Sequence, residues 1–374
     1  SDDSSANSSL DIKMQNVSHQ KYLKLYKVES NLVDYNIDTL ENSLDFSHED
    51  DQIFLGLNAS VYETLKDDYN DKYEYILPEV TVDKNLFSSN TFGSLDLQSN
   101  FRVHTYDTNK SSTFFVNNFD WESKELNYKS GLKTNFLGNL KNINYETRNL
   151  DLYKTNSTSE LFGAIGYLSE INLQKDLRNS QHLLTPKAFL RYAPGSMRKE
   201  NSGKRLDPIN AFTMDRLNST NNFETGLSSA IGVDYKIKKG DRNFDFSLAQ
   251  VINEKENKKM PTQSSLDEKL SDLVGSLTHN LNDNIDFKFN FAVDQNYNEV
   301  NYSEIGTSLN FNPLKIDFNY LEENKHIGDQ EYFKTKIDFA NSNNGLFSFE
   351  TKRNLVTDSS EFYNLSYEYL NDCL

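Results

Sequence analysis

The sequence predicts an all-β protein, a large antiparallel up-and-down transmembrane β-barrel, and three observations predict it. Between Phe223 and Ile237, Phe223, Thr225, Leu227, Ser229, Ile231, Val233, Tyr235 and Ile237 fall on one face, and Glu224, Gly226, Ser228, Ala230, Gly232, Asp234 and Lys236 on the other. A period of two kept up that far outruns an ordinary strand of about 5–6 residues. It fits a strand crossing a bilayer, where about 9–11 residues span the apolar band and one face meets lipid. Second, only 36% of the residues are hydrophobic and mean hydropathy is -0.72, yet 13% are aromatic. Transmembrane barrels combine these values, because half of each strand faces a polar lumen and aromatic residues ring both interfaces. Disorder is the other reading of low hydropathy with a net charge of -17, and the 25 Phe and 21 Tyr argue against it. Third, runs of period two recur from end to end, roughly 17–19 of them, separated by polar turns.

In chain order, Leu10, Ile12 and Met14 alternate in a short strand, and His19–Tyr26 suits a single helical turn. Thr39–Phe46 and Ile53–Val61 form a hairpin about the polar turn His48–Asp51. Lys72–Val80 is a strand containing Pro78, and Leu183–Tyr192 repeats the puzzle with Pro186. A proline inside a strand removes a ladder hydrogen bond and belongs at an edge or a bulge. Either both strands are locally weakened or each proline sits near a strand end at a membrane interface, the preferred reading. Leu95–Val103, Thr113–Trp121, Tyr128–Phe136 and Leu161–Leu173 continue the pattern, and Asn139–Asn156, rich in Asn, reads as a weak strand with a loop. After Ala193-Pro194-Gly195 the chain makes a long polar excursion before the run that ends at Ile237.

Beyond Ile237 the pattern is clean. Lys238–Asp241 turns the chain into Phe244, Phe246 and Leu248, and a polar loop spans Asn253–Gln263. Leu266–Leu270 gives a helical signal. Leu273–Leu281 then pairs through Asn282–Asn284 with Ile285–Val293, where Phe287, Phe289 and Phe291 oppose Asp286, Lys288 and Asn290. Ile305–Phe311, a turn at Asn312-Pro313, Leu314–Tyr320, Phe333–Phe339, a turn at Asn343-Asn344-Gly345, Phe347–Arg353 and Tyr363–Tyr369 complete one meander without an internal domain boundary.

Several classes are excluded. No run approaches the 18 apolar residues of a spanning helix, and Leu161–Leu168, the most apolar stretch, contains two glycines. The acidic balance excludes nucleic acid, which needs a basic footprint. The N-terminal SDDSSANSS has no positive or apolar region of an export signal, so the chain reads as a processed or downstream piece. The six histidines are scattered, without the spacing of a metal site. Neither a nucleophile elbow nor a phosphate loop occurs. With 56 acidic residues, carboxylate pairs at suggestive spacings carry no information, so no catalytic, cofactor-binding or metal residue is nominated. The expectation is a protein without enzymatic activity or cofactor. Its polar strand faces suit either water in a porin lumen or a passage for a hydroxyl-rich sugar, and composition does not choose between them. Cys373, the lone cysteine, makes no internal disulfide, which leaves an incidental thiol or a bridge to something outside the chain.

A Pro-containing strand, a long loop ending in Asn-x-Phe, a nearby Arg, then Glu-x-Gly opening a long strand resembles the LptD family of lipopolysaccharide-assembly proteins. The positions here are Pro186, Asn210, Phe212, Arg216, Glu224 and Gly226. Lys21–Leu23, Lys72–Pro78, Asn253-Glu254 and the late Glu368–Leu374, with its Asn-Asp-Cys, extend the resemblance over nearly the whole chain. It implies that residues 1–374 are part of an outer-membrane barrel of ~26 strands, without the family's N-terminal periplasmic jellyroll and closing strands. It implies a translocon component that inserts lipopolysaccharide into the outer leaflet, powered by an inner-membrane ATPase. Its partners would be an LptE-like lipoprotein plug, an LptA-like periplasmic bridge and outer-membrane lipid. By the same implication, Cys373 is disulfide-bonded to a cysteine of the N-terminal domain. The alternative is a general diffusion porin or substrate-specific channel, which predicts a closed barrel of ~16–18 strands and no need for Cys373.

Overall fold

The computed structural model describes residues 6–27, 37–66, 71–217, 219–240, 242–325, 328–341 and 345–369. Cys373, His326 and the Asn343-Asn344 turn lie outside them. The first strands are β1 (Asn7–Lys13), β2 (Thr39–Glu49), β3 (Ile53–Thr64), β4 (Tyr73–Ser89), β5 (Gly93–Thr105), β6 (Ser111–Glu122), β7 (Leu126–Asn127) and β8 (Leu132–Arg148). Next come β9 (Thr158–Ile171), β10 (Leu173–Leu177), β11 (Ser180–Ala193), β12 (Gly226–Lys239), β13 (Arg242–Asn253), β14 (Leu273–Asn282) and β15 (Ile285–Val293). The last are β16 (Val300–Phe311), β17 (Leu314–Glu323), β18 (Gln330–Asn341), β19 (Gly345–Asn354) and β20 (Ser359–Tyr369). One short helix, α1 (Tyr22–Tyr26), stands where the single helical turn is expected. The strands number twenty among the described residues, just above the expected range. The excess comes from β7 and β10, of two and five residues, too short to show a period.

The chain forms two compact units, one of Ser1–Lys124, Leu137–Ala164 and Thr220–Phe223, the other of Glu125–Phe136, Ile165–Ser219 and Glu224–Leu374. In the first, β1 to β6 and β8 pair antiparallel. Leu23 of α1, Leu40 and Leu65 make a small apolar cluster with Val17 and Ile37. In the second, β11 to β20 run as a meander in which each strand pairs antiparallel with the next.

Register fixes which residues share a face. Lys187, Gly232, Ala249, Val274 and Ala292 lie in one cross-strand row, and Thr278, Lys288, Gly306 and Asn319 in another. Ile231, Gln250, Leu277, Phe289, Ile305 and Tyr320 belong to the opposite face. On that face large apolar side chains are exposed: Leu190 is 53% and Ile231 48% accessible, whereas Arg191 and Ala230, one residue along, are 1%. A water-soluble sheet shows the reverse, so this pattern identifies the apolar face as the one that meets lipid. The other face is stitched by polar ladders. Asn290 Nδ2 donates to Glu304 Oε2 at 2.9 Å, Asn319 Nδ2 to Glu304 Oε1 at 3.0 Å, and Ser308 Oγ to Asp317 Oδ1 at 2.6 Å.

Four local expectations are corrected. Asn139–Arg148 belongs to the long strand β8, whose polar residues occupy the buried face. Asn139 Nδ2 donates to Asn118 Oδ1 at 2.8 Å and to Asp120 Oδ1 at 2.6 Å, while the intervening Leu140 is exposed. Tyr128–Gly131 is a turn closed by Tyr128 N donating to Leu132 O at 2.9 Å, and a strand resumes only at Leu132. Leu266–Leu270 is not helical: Asn253 Nδ2 takes the carbonyls of Leu266 and Glu268 at 3.1 and 2.8 Å, diverting acceptors a helix would need. A 3-10 turn at Thr262–Ser264 precedes it, and Leu270 bridges to Ile252. The long run before Ile237 becomes a strand only at Gly226, because Glu224 and Thr225 are committed to contacts described below.

Both prolines sit at gaps in the ladder. Pro78 coincides with a register shift between Ile76 and Glu79. Pro186 falls between the β10 ladder, which ends at Leu184, and the β9 ladder, which starts at Lys187. On that side a missing N–H costs no ladder bond.

Candidate functional site: the excursion between β11 and β12

Residues 194–225 leave the end of β11 and return to start β12. Their root is a buried charge cluster. Glu224 receives a fork from Arg216, Nε to Oε2 at 2.9 Å and Nη2 to Oε1, and the Arg216 backbone N–H donates to Oε2 at 3.3 Å. Arg216 Nη2 also reaches Ser228 Oγ at 2.7 Å. Arg191, on the polar face of β11, places Nη1 3.7 Å from Glu224 Oε1 and donates through Nη2 to the Glu224 carbonyl and through Nε to the Met214 carbonyl. All three side chains are buried, so each charge depends on the others. Burial raises the Glu224 pKa, but the Arg216 and Arg191 charges and the hydrogen bonds outweigh it and hold the carboxyl down at about 2. Gly226 follows at φ +124°, a backbone conformation open to glycine, and swings the chain from this cluster into β12.

The middle of the excursion lies on small residues of the polar face. A Cβ on Gly232 would meet the Phe212 ring at 2.8 Å and crowd the Leu248 carbonyl, and a Cβ on Gly166 would meet Met214 Sδ at 2.6 Å. Lys187 Nζ stands 5.6 Å from the Phe212 ring centre. Replacing Gly232 with alanine is therefore expected to lift Phe212 and cost about 1–3 kcal/mol. A lowered Tm together with faster hydrogen exchange at Phe212 is the signature to measure, and wild-type behaviour in both would disprove the contact's role.

The tip folds on itself and then reaches across the sheet. Asp207 Oδ1 accepts from the N–H groups of Ile209 and Asn210 at 2.7 Å each, and Asn210 Nδ2 donates to the Arg205 carbonyl at 2.9 Å. A 3-10 turn at Asn210–Phe212 results. Arg205 donates through Nη2 to Glu323 at the end of β17, and its guanidinium lies 3.5 Å from the centre of the Tyr302 ring on β16. The loop between β13 and β14 backs the excursion: Glu200 N donates to Lys259 O at 2.9 Å, Lys259 Nζ to Ser196 Oγ at 2.6 Å, and Asn257 Nδ2 to Thr225 O at 3.3 Å.

Of the residues nominated from sequence, Arg216 and Glu224 are in direct contact, Gly226 adjoins them, and Asn210 and Phe212 shape and seat the tip. Pro186 is apart, in the ladder of β11. Arg191, Arg205, Tyr302 and Glu323 were not nominated. The one local clue to Arg191 is a charge between Leu190 and Tyr192 in an apolar strand, and nothing local marks the others, since Arg205 lies more than ninety positions from Tyr302 and Glu323. Chemically the arrangement is a clamp, with its central carboxylate saturated by guanidinium groups.

Residues 1–354 match the family LptD, LPS transport system D. No curated protein matches the sequence. Among solved structures, the chain is similar to the siderophore receptor PirA from Acinetobacter baumannii, at 10% identity over 89% of this chain and 63% of that one, with a TM-score of 0.47. It is similar also to a mutant of the ferric enterobactin receptor PfeA from Pseudomonas aeruginosa in complex with enterobactin, at 7% identity over 94% of this chain and 62% of that one, again with a TM-score of 0.47. It thus spans less than two thirds of either receptor. The family match covers almost all of the residues whose strands put apolar side chains outward, and on that ground the chain belongs to the LptD family of LPS transport components, all-β proteins of the cell outer membrane.

Proposed function

We propose that this chain is the membrane-embedded part of a translocon that inserts lipopolysaccharide into the outer leaflet, without covalent chemistry. The family match over residues 1–354 carries the reading. The two-faced strands support it, since an amphipathic lipid with a sugar head needs an apolar exit and a polar path. In the second unit the segments 194–219, 254–272 and 294–299 lie at one end of the strands, and the short turns 283–284 and 312–313 at the other. Outer-membrane barrels keep short turns on the periplasmic side and longer loops outside, so the excursion belongs to the outer side. Pro186, Asn210, Phe212, Arg216, Glu224 and Gly226 act in this reading as the frame that seats it. The partners are an LptE-like lipoprotein plug and an LptA-like periplasmic bridge. Depleting the protein in its own cells is expected to remove newly made lipopolysaccharide from the surface while leaving its synthesis intact. Unchanged surface labelling under depletion would refute the proposal.

Cys373 supplies a second test. The full-length protein is expected to migrate differently on non-reducing and reducing gels, and Cys373→Ser is expected to abolish the difference. Equal mobility in the wild type would leave Cys373 without the bridging role.

A further inference from the structure

Between the tip of the excursion and strands β13 to β16 lies a cavity of about 410 Å³, bordered by Arg205, Ser247, Ser276, Lys288, Asn290 and Tyr302. Its size falls within the range of small-molecule sites. Two of its cations are incompletely used. The Nε–H of Arg205 is buried without a hydrogen-bond acceptor among the described residues, although Nη2 on the same edge of the guanidinium holds Glu323. Arg216 shows what a saturated edge looks like, with Nε and Nη2 both on Glu224. A buried N–H with no acceptor carries a desolvation cost that an incoming oxyanion recovers. The Lys288 ammonium takes part in no hydrogen bond or ion pair among the described residues, although Glu304 lies within its electrostatic reach.

The nearby carboxylates are occupied. Glu304 accepts from Asn290, Asn319 and Tyr302, Asp207 caps its own turn, and Glu323 is held by Arg205. Ser276, Asn290 and Ser247 add hydroxyl and amide groups of the kind that recognise sugar hydroxyls, with Ser276 Oγ donating to Asn290 Oδ1 at 2.8 Å. From the orphaned Nε–H, the unpaired ammonium and this polar wall, we infer that the cavity is a subsite for an anionic sugar. Its carboxylate or phosphate is taken by Arg205 and Lys288, and its ring hydroxyls by the strand face. The anion competes with Glu323 for the guanidinium edge, so binding loosens the excursion's tip while the root at Arg191, Arg216 and Glu224 stays fixed. This inference rests on the translocon reading for its cargo, not for its chemistry.

The test is calorimetric titration of the purified full-length protein against glucuronic acid, glucose 1-phosphate, glucose and inorganic phosphate. Both anionic sugars are expected to bind at least about tenfold more tightly than glucose, the worth of a charge-assisted hydrogen bond. Lys288→Gln and Arg205→Gln are each expected to erase that preference, and Glu323→Gln to strengthen binding. Lys334→Gln, on the same polar face but ion-paired with Glu350 at 2.5 Å, is the control expected to behave as wild type. Lys288→Gln breaks no contact, so it decides the matter even if Arg205→Gln fails to fold. Glucose binding as tightly as glucuronic acid, or a preference untouched in Lys288→Gln, overturns the subsite. Inorganic phosphate binding as tightly as glucose 1-phosphate overturns its sugar character. None of these outcomes depends on surface delivery of lipopolysaccharide, so failure of the subsite and failure of the translocon reading are separable.

Discussion

Glu224→Gln is expected to destabilise the protein by about 3–5 kcal/mol, the cost of leaving buried guanidinium groups without their counter-charge. Glutamine keeps the size of the side chain and one oxygen, so the loss reports charge rather than packing. Two measurements read it: a lower Tm in detergent, and faster hydrogen exchange at the Arg216 N–H, which now donates to the carboxylate at 3.3 Å. Wild-type values in both would sink the clamp as the support of the excursion. The pH dependence follows from the same group. Its folded-state pKa, about 2, lies below the ordinary 4.5. The stabilisation is therefore complete above about pH 4.5 and is lost as pH falls toward 2, by about 3 kcal/mol in total. Wild type minus Glu224→Gln should show this slope, since all other carboxylates cancel in the difference.

Phe349→Lys and Ser348→Lys are expected to part company although the residues are neighbours. Phe349, at the middle of β19, shares the lipid-facing side with Ile337 and Leu365. Ser348 shares the other side with Asp338 and donates to its Oδ1 at 2.5 Å. A lysine at the bilayer midplane costs about 2–4 kcal/mol, whereas a lysine at 348 gains a carboxylate partner. Folding titrations into bilayers of defined thickness measure the difference. Equal costs at the two positions would show that the faces have been assigned wrongly.

The meander was legible in the sequence because a strand in a bilayer must separate lipid from water residue by residue, and that separation is written at period two. Val233, Tyr235 and Ile237 against Asp234 and Lys236 needed no tertiary information. Asn139–Arg148 was harder, since its buried side chains are Asn, Lys and Thr as well as Ile and Tyr. Hydrophobicity reads such a stretch as a weak strand with a loop, while partners 19 and 21 positions away take up the side-chain amide N–H groups of Asn139. The helical signal at Leu266–Leu270 failed for a related reason, because the side chain of Asn253 claims its carbonyls.

The family-like positions Arg216 and Glu224 were visible, but their function as a clamp was not, since its third member is Arg191 on the preceding strand. Likewise Arg205 meets Tyr302 and Glu323 across a hundred positions only because register carries β16 and β17 beside the excursion's tip. The sequence alone determined the all-β class, the two faces of each strand and the family, because these depend on local alternation and ordered motifs. Tertiary structure alone decided which charges meet, where the prolines spare the ladder, and what lies beneath the excursion. Those depend on pairing register, which places side chains from distant strands within a few ångströms and leaves no mark on the local pattern of either.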